Sequence, residues 1–417
     1  MTPSLTPTLP PAVAARAAAL DAADPLACYR DRFTLPGGVI YCDGNSLGAL
    51  PRTTAPAVAQ AVEREWGEGL IGSWNTARWF DMATRIGGKI APLVGAAPHE
   101  VIACDSTSIN LFKLIAAALQ MRPGRTVILS EPGNFPTDLY MIAGLEVQGL
   151  ATRRLARREE LTAALDNDVA LLLLTHVHYK TGALHDMAAL TRAAHAAGAL
   201  VLWDLSHSTG ALPVDLTGAK ADLAVGCGYK YLCGGPGAPA FAFVAERHHA
   251  DLAQPLTGWF GHAAPFAFSD DYAPAPGINR LQCGTPPVLG LTALEVGVDL
   301  IAEIGVARLY AKSRALSDFF LACLEELGVR LELVSPARSD ERGSQLSFRH
   351  DHAYAICQAL IARGVIGDFR APDVLRLGFA PAYLSFVDMA NAARQLAAVL
   401  ESGEWQQPAF HQRAAVT

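Results

Sequence analysis

The eight cysteines (Cys28, Cys42, Cys104, Cys227, Cys233, Cys283, Cys323 and Cys357) include no Cys-x-x-Cys pair and no cluster with histidine at metal-ligand spacing. That excludes a disulfide framework or a zinc ribbon, and no metal is expected. In a chain of 417 residues the thiols read as small buried apolar groups of a reducing compartment. No Gly-x-Gly-x-x-Gly follows the early apolar runs, which argues against a dinucleotide-dependent oxidoreductase. Charge is sparse, at 18% of residues with a net of −7, and basic residues are dispersed. Arg153, Arg154, Arg157 and Arg158 alternate with Glu159 and Glu160 and read as a solvated helical face, so nucleic acid is not expected as a partner. Apolar runs such as Val169–Leu174 are far too short to cross a bilayer. Met1–Pro11 is rich in Thr and Pro, with neither a basic start nor a following apolar segment. A soluble, cytoplasmic protein without a membrane partner is expected.

What the chain does have is apolar bulk, 51% of its residues. Its length exceeds what one core supports, which predicts a large and a small domain. Apolar β-rich runs at Val101–Cys104, Thr126–Ser130, Val169–Thr175, Leu200–Trp203, Leu223–Val225 and Ala240–Val244 alternate with helical stretches such as Ser108–Gln120 and Asp186–Ala197. This predicts an α/β fold: a doubly wound, mostly parallel sheet, which binds ligands at the C-terminal ends of its strands. After about Leu289 the pattern changes. Helices are predicted at Leu291–Ile304, Ala307–Leu327, Ala353–Arg363 and Phe386–Leu400, with short strands near Leu331–Val334, Gln345–Phe348 and Val374–Gly378. The expected division is residues 1–60 as a tail and arm on the small domain, 61–290 as the large cofactor domain, and 291–417 as a smaller α+β domain. An Ala-rich helix at Ala12–Ala23 leads the arm into the turn-rich segment Tyr41–Gly48.

The chemistry sits just after the strands. Lys230 ends the run Leu223-Ala-Val-Gly-Cys-Gly-Tyr-Lys230 and opens a Gly-rich turn, Cys233-Gly-Gly-Pro-Gly237. Such a lysine condenses with an aldehyde only when its amine is deprotonated, which burial and neighbouring cations bring about; the glycines are expected to let backbone approach a planar ligand. Trp203-Asp204-Leu-Ser-His207 places a carboxylate where it can hold a protonated pyridine nitrogen and make the ring an electron sink. His207 is read as packing near a phosphate or orienting Asp204. Thr107 and Ser108 open a helix, a ready phosphate site. In Asn134-Phe-Pro-Thr-Asp138, Phe135 is placed to stack on an aromatic cofactor, with Thr137 and Asp138 shaping its pocket. The Thr175 hydroxyl could bond a ring phenolate. Each residue alone has a plain reading as a helix cap or a surface lysine. Together, at successive strand ends, they point to pyridoxal 5'-phosphate carried on Lys230.

These residues resemble the fold-type I pyridoxal-phosphate enzymes and, more closely, the kynureninases. The resemblance runs from Asn45-Ser-Leu-Gly48 to Arg376. It is carried by Phe135-Pro-Thr-Asp138, Asp204-Leu-Ser-His207, Gly228-Tyr-Lys-Tyr231, Gly258-Trp-Phe-Gly261 and Leu375-Arg-Leu-Gly-Phe-Ala-Pro381. It implies hydrolysis of L-kynurenine, and of its 3-hydroxy analogue, to an anthranilate and L-alanine. Lys230 would be the Schiff-base lysine and Cα base, Asp204 the pyridinium partner, and Phe135 the stacking ring. Thr107, Ser108 and Tyr229 would be phosphate contacts, and Tyr229 also a proton donor. Trp259 and Thr285 would reach the cofactor of a neighbouring subunit, making a homodimer with shared sites. Some relatives have asparagine where this chain has Thr285, so a shorter contact is expected there. Arg376 would hold the substrate α-carboxylate, and Asn45, Ser46, Ser73 and Trp74 would shape the substrate pocket. A cysteine desulfurase or an aminotransferase on the same fold is the nearest alternative, and a non-catalytic cofactor-binding regulator is a more distant one.

Overall fold

The computed structural model describes residues 8–413. Seven strands form the principal sheet: β1 (Val101–Ala103), β2 (Val127–Ser130), β3 (Thr152–Leu155), β4 (Val169–Thr175), β5 (Leu200–Asp204), β6 (Leu223–Gly226) and β7 (Phe241–Val244), in the spatial order β1-β7-β6-β5-β4-β2-β3. From β3 to β6 every neighbour is parallel; β7 alone runs antiparallel, between β6 and β1. Side chains alternate between two cores. Leu172, Leu174, Val201 and Trp203 enter one, while Leu171, Leu173, Leu200 and Leu202 enter the other. Burial on both faces is why these strands read as unbroken apolar runs.

All six expected runs are strands of this sheet. β3 was not expected as a strand: Arg153 and Arg154 belong to this edge strand, and Arg158–Glu160 forms a single 3-10 turn, so the helical reading of the basic cluster is corrected. An edge strand has one open side and carries charge without cost, so its pattern is not apolar. The helix Pro136–Val147 also joins β2 to β3.

A second sheet lies in the C-terminal part. Its strands are β8 (Glu332–Leu333), β9 (Gln345–Arg349), β10 (Asp368–Arg370) and β11 (Val374–Gly378), ordered β8-β9-β11-β10 and wholly antiparallel. Helices Val306–Glu326, Ala353–Ala362 and Phe386–Ser402 accompany it. The N-terminal helix Pro11–Ala22 packs on Phe386–Ser402. There the Asp21 carboxylate accepts hydrogen bonds from Phe386 N at 2.7 Å and Val387 N at 3.0 Å, which satisfies the first amides of that helix.

The strand Ile40–Tyr41 pairs with Val365–Ile366 and delivers the Cys42–Gly48 turn to the end of the large sheet. Gly48 N donates to Tyr229 O at 2.8 Å. A Cβ on Gly48 would stand 2.2 Å from Lys230 O, so only glycine lets the turn lie against the Lys230 loop. Among the described residues no helix is long and apolar enough to cross a membrane, and no group of three His, Cys, Asp or Glu could hold a metal.

Candidate active site

β1, β2, β4, β5 and β6 point their C-terminal ends to one edge of the sheet. β1 shares this direction because the reversed β7 separates it from β6, with Ala103 and Gly226 both opposite Phe241. The expected row of five successive strand ends is therefore interrupted by the start of β7. There Ala240 N donates to Asp105 O at 2.8 Å and fixes the turn before Thr107.

Lys230 lies on the loop after β6 and is buried, with Nζ 2.9 Å from His207 Nε2. His207 thus meets the lysine amine, and no hydrogen bond joins it to Asp204 among the described residues. Burial leads in lowering the proton affinity of Lys230, and the charges of Arg376 and Arg370 add to it. Burial also pushes His207 well below the usual histidine range, so its imidazole is neutral. The ring centroids of Phe135 and Tyr229 stand 5.6 and 5.9 Å from the lysine nitrogen. Burial raises the Tyr229 phenol, which keeps its proton.

The glycine next to this pair works differently from expectation. A Cβ on Gly228 would meet Pro239 O at 2.3 Å, so this glycine admits the protein's own backbone rather than a ligand.

Asp204 ends β5 beside Thr175, the last residue of β4. Its Oδ1 accepts from Ser206 N at 2.8 Å, and burial raises its carboxyl above the ordinary value. Asp138 is wholly buried, and desolvation, followed by the charge of Asp204, raises it well above the usual carboxylate range. Asn134, which sequence reasoning did not single out, ties the strand ends together. Its amide nitrogen donates to Ser130 Oγ at 3.1 Å and Asp138 Oδ2 at 3.3 Å, and its oxygen accepts from Phe135 N and Thr175 N at 2.9 and 3.2 Å. Ser106 caps the helix Thr107–Met121, accepting from Ile109 N at 3.4 Å. Thr107 and Ser108 therefore stand in the first turn, where amides lack helical partners. Thr137 is half-buried on the first turn of Pro136–Val147.

Asp138 Oδ1, Thr175 Oγ1 and His207 Nδ1 are buried with no hydrogen-bond partner among the described residues. Each such atom costs about 1–3 kcal/mol when left unpaired. Three around one buried amine, beside an aromatic ring and a helix N-terminus, fit a polar aromatic aldehyde bearing a phosphate. These residues suit pyridoxal phosphate.

Above them lies a charged corner. Arg376 on β11 is buried and faces Asp368 across the β10–β11 pairing, with Nε donating to Asp368 Oδ1 at 2.8 Å. Asn45 is buried and Ser46 half-buried here, and Ser46 Oγ donates to Asp368 Oδ2 at 2.6 Å. Asp43, Tyr179, Asp368 and Arg370 belong to this corner and were not expected. The signal in the sequence was Asp368-Phe-Arg370, whose alternation places both charges on one strand face.

Ser73 and Trp74, expected to shape the substrate pocket, make contacts within their own segment and with Phe260, and Trp259 and Thr285, expected to reach a neighbouring subunit's cofactor, are exposed. Ser73 is buried and donates to Glu65 O at 2.6 Å. Trp74 packs on Trp79 and Phe260 at 6.0 and 5.8 Å. Trp259 is 40% exposed and packs on Phe260 and Phe266, while Thr285 is exposed. Of the cysteines, Cys28 is exposed and Cys283 half-buried, contrary to the expectation that all are buried. Cys227 and Cys233 are buried, and burial raises both thiols, Cys233 to about 12. Both thiols therefore keep their protons, whereas a desulfurase needs a reactive thiolate.

The family model for the kynureninase C-terminal domain matches residues 309–396. Kynureninase of Burkholderia mallei (strain SAVP1) is 52% identical over 410 residues, covering 96% of this chain and 99% of that protein. Kynureninase of Pseudomonas fluorescens is 49% identical over 409 residues, covering 96% and 98%. Among solved structures, an apo cysteine desulfurase from Thermococcus onnurineus NA1 superposes with a TM-score of 0.76 at 19% identity, over 90% of this chain and 97% of that one. A C-DES mutant with glycine covalently linked to its PLP cofactor gives 0.75 at 16%, over 88% and 98%. Identities this low speak for the fold alone, whereas half-identity along nearly the whole chain speaks for descent. The chain belongs to the kynureninase family.

Proposed function

We propose that the protein hydrolyses L-kynurenine, and 3-hydroxy-L-kynurenine, to anthranilate or 3-hydroxyanthranilate and L-alanine, with pyridoxal 5'-phosphate as cofactor. Supporting this, above all, is a buried lysine amine of lowered proton affinity against a neutral histidine, in a chain half-identical to kynureninases. The cofactor supplies an aldehyde for amines and a ring that accepts electrons when a proton leaves Cα.

The chain's residues do the rest. Phe135 would cover one face of the cofactor ring, Asp204 would hold its nitrogen, and Thr175, Thr137, Asp138 and His207 would complete the polar surround. Thr107, Ser108 and Tyr229 would hold its phosphate. Lys230 would carry the cofactor, and its amine would take the substrate's Cα proton. Its depressed proton affinity suits a base at neutral pH. After water adds at the γ-carbonyl and the Cβ–Cγ bond breaks, Tyr229 returns a proton to Cβ. The corner of Asn45, Ser46 and Arg376 receives the substrate's α-carboxylate.

The working unit in this reading is a cytoplasmic homodimer serving tryptophan catabolism or NAD biosynthesis, in which Trp259 and Thr285 complete the partner's site. An exposed aromatic surface favours it: Phe80, Phe266 and Phe268 are 45, 61 and 80% exposed beside Trp259. Residues 1–60, 61–290 and 291–417 act as arm, large domain and small domain. Anthranilate fluorescence on mixing the holoenzyme with L-kynurenine tests the function. No fluorescence, with sulfide released from cysteine instead, would overturn it in favour of a desulfurase.

A further inference from the structure

Lys113 lies on the second turn of the helix Thr107–Met121, wholly buried in a stretch whose other buried residues include Leu111, Leu114 and Ile115. The proposed reaction has no use for this amine. An ammonium taken out of water costs free energy that a leucine in its place would not, so its partners have to account for it. It joins two segments: Nζ donates to Asp105 Oδ2 at 2.5 Å and to Leu281 O. Burial lowers its proton affinity, but Cys104, Asp105 and Cys283 more than offset this, and the amine stays charged.

Asp105 is the pivot of the turn between β1 and that helix. Its φ of +49° lies in the left-handed region, uncommon for a residue with a side chain, although aspartate is among those that tolerate it. The turn is held from both sides. The Asp105 carbonyl accepts from Ala240 N at 2.8 Å, and its carboxylate takes the Lys113 ammonium. From the first turn of the helix, Asn110 Nδ2 donates back to Cys104 O at 2.8 Å. Ser106 then caps the helix, and Thr107 and Ser108 follow with amides that lack helical partners. The direction of those amides depends on Asp105, and the Asp105 side chain is held by Lys113.

We infer that Lys113 is a positioning residue for the cofactor's phosphate: without touching it, the ammonium ties Asp105 to the Leu281 carbonyl and so fixes where the Thr107 and Ser108 donors aim. The inference deepens the proposed function and rests on its placing of the phosphate at those two residues.

The test loads the full-length protein with pyridoxal 5'-phosphate or with pyridoxal, which has the same ring and aldehyde but no phosphate. Binding is followed by the absorbance of the lysine-bound form. Lys113→Met keeps a long side chain and removes the charge. It should weaken pyridoxal phosphate by about 10–100-fold, the scale of a lost hydrogen bond to a charged group, and leave pyridoxal unchanged. Asp105→Asn, whose side chain suits the left-handed backbone but carries no charge, should lose the same preference in part. An equal loss for both ligands in Lys113→Met would mark a lysine that only stabilises the fold, and overturns the inference. Should that variant not fold, the ratio in Asp105→Asn decides, and a wild-type ratio there overturns it. A wild type that binds the two ligands equally removes the phosphate seat and this inference with it. A wild-type preference kept intact in Lys113→Met removes the inference alone.

Discussion

Lys230 Nζ and His207 Nε2 face each other at 2.9 Å, both side chains buried and both held toward their neutral forms. A charged lysine against a charged histidine here would be strongly repelled, so the pair settles with at most one proton to share. An imine-forming amine needs this condition. Replacing Lys230 with Ala should abolish the long-wavelength absorbance of the lysine-bound cofactor. It should also cut anthranilate release by at least ~10²–10⁴-fold, the scale of a lost acid–base group. Retained absorbance with full turnover would contradict the assignment.

The Asp43 carboxyl is raised to about 8, by burial first and by the charge of Asp368 second. Facing or surrounding it are Arg376 and Arg370, with Tyr41, Cys42, Tyr231 and Cys357. Below that pH it keeps its proton and the corner has a surplus positive charge; above it, the new carboxylate cancels the surplus. The KM for L-kynurenine should therefore climb as pH passes through about 8, and in Asp43→Asn the climb should flatten. A profile identical in the two proteins counts against the charge argument.

Acid should destabilise the fold through its buried histidines. His176 is lowered to about 3 by burial, and His207 moves the same way. The unfolded chain takes up these protons near pH ~6.5 while the folded one does not. The neutral state's contribution is thus intact above that value and lost as pH falls below it. The loss is about 1.4 kcal/mol per pH unit for each histidine. His176→Gln should show a shallower fall in Tm between pH ~6.5 and ~5; an unaltered slope would show that this histidine is not buried neutral.

Shared sites have a distinctive signature. Lys230→Ala and Trp259→Ala proteins, each poorly active alone, should regain activity when mixed and allowed to exchange subunits, because one site of each mixed dimer is then intact. A mixture no better than the sum of its parts, with exchange verified by mass, would place Trp259 in its own chain's site or in none.

Strands with two buried faces were legible in the sequence, because burial on both sides leaves no position for polar alternation. β3 was not, since an edge strand bearing Arg153 and Arg154 has the composition of a solvated helix. Asp204, Thr175 and Lys230 could be placed because each ends an apolar run. The corner was less legible. β10 has three residues, too few to show a period, and it is the pairing of Asp368 with Arg376 that reveals the carboxylate between two arginines.

The sequence by itself determined the cofactor, the family and the edge of the sheet that gathers the candidate site, because strand ends and their hydroxyl, carboxylate and lysine residues are local features. Only the tertiary structure decided the partners. It set His207 against Lys230, used Asn134 to lock two strand ends to a helix start, and brought residues 43–46 onto residues 368–376 from the far end of the chain. Protonation follows from those placements. Burial and the nearest charge fix where a proton resides, and neither can be read from spacing along the chain.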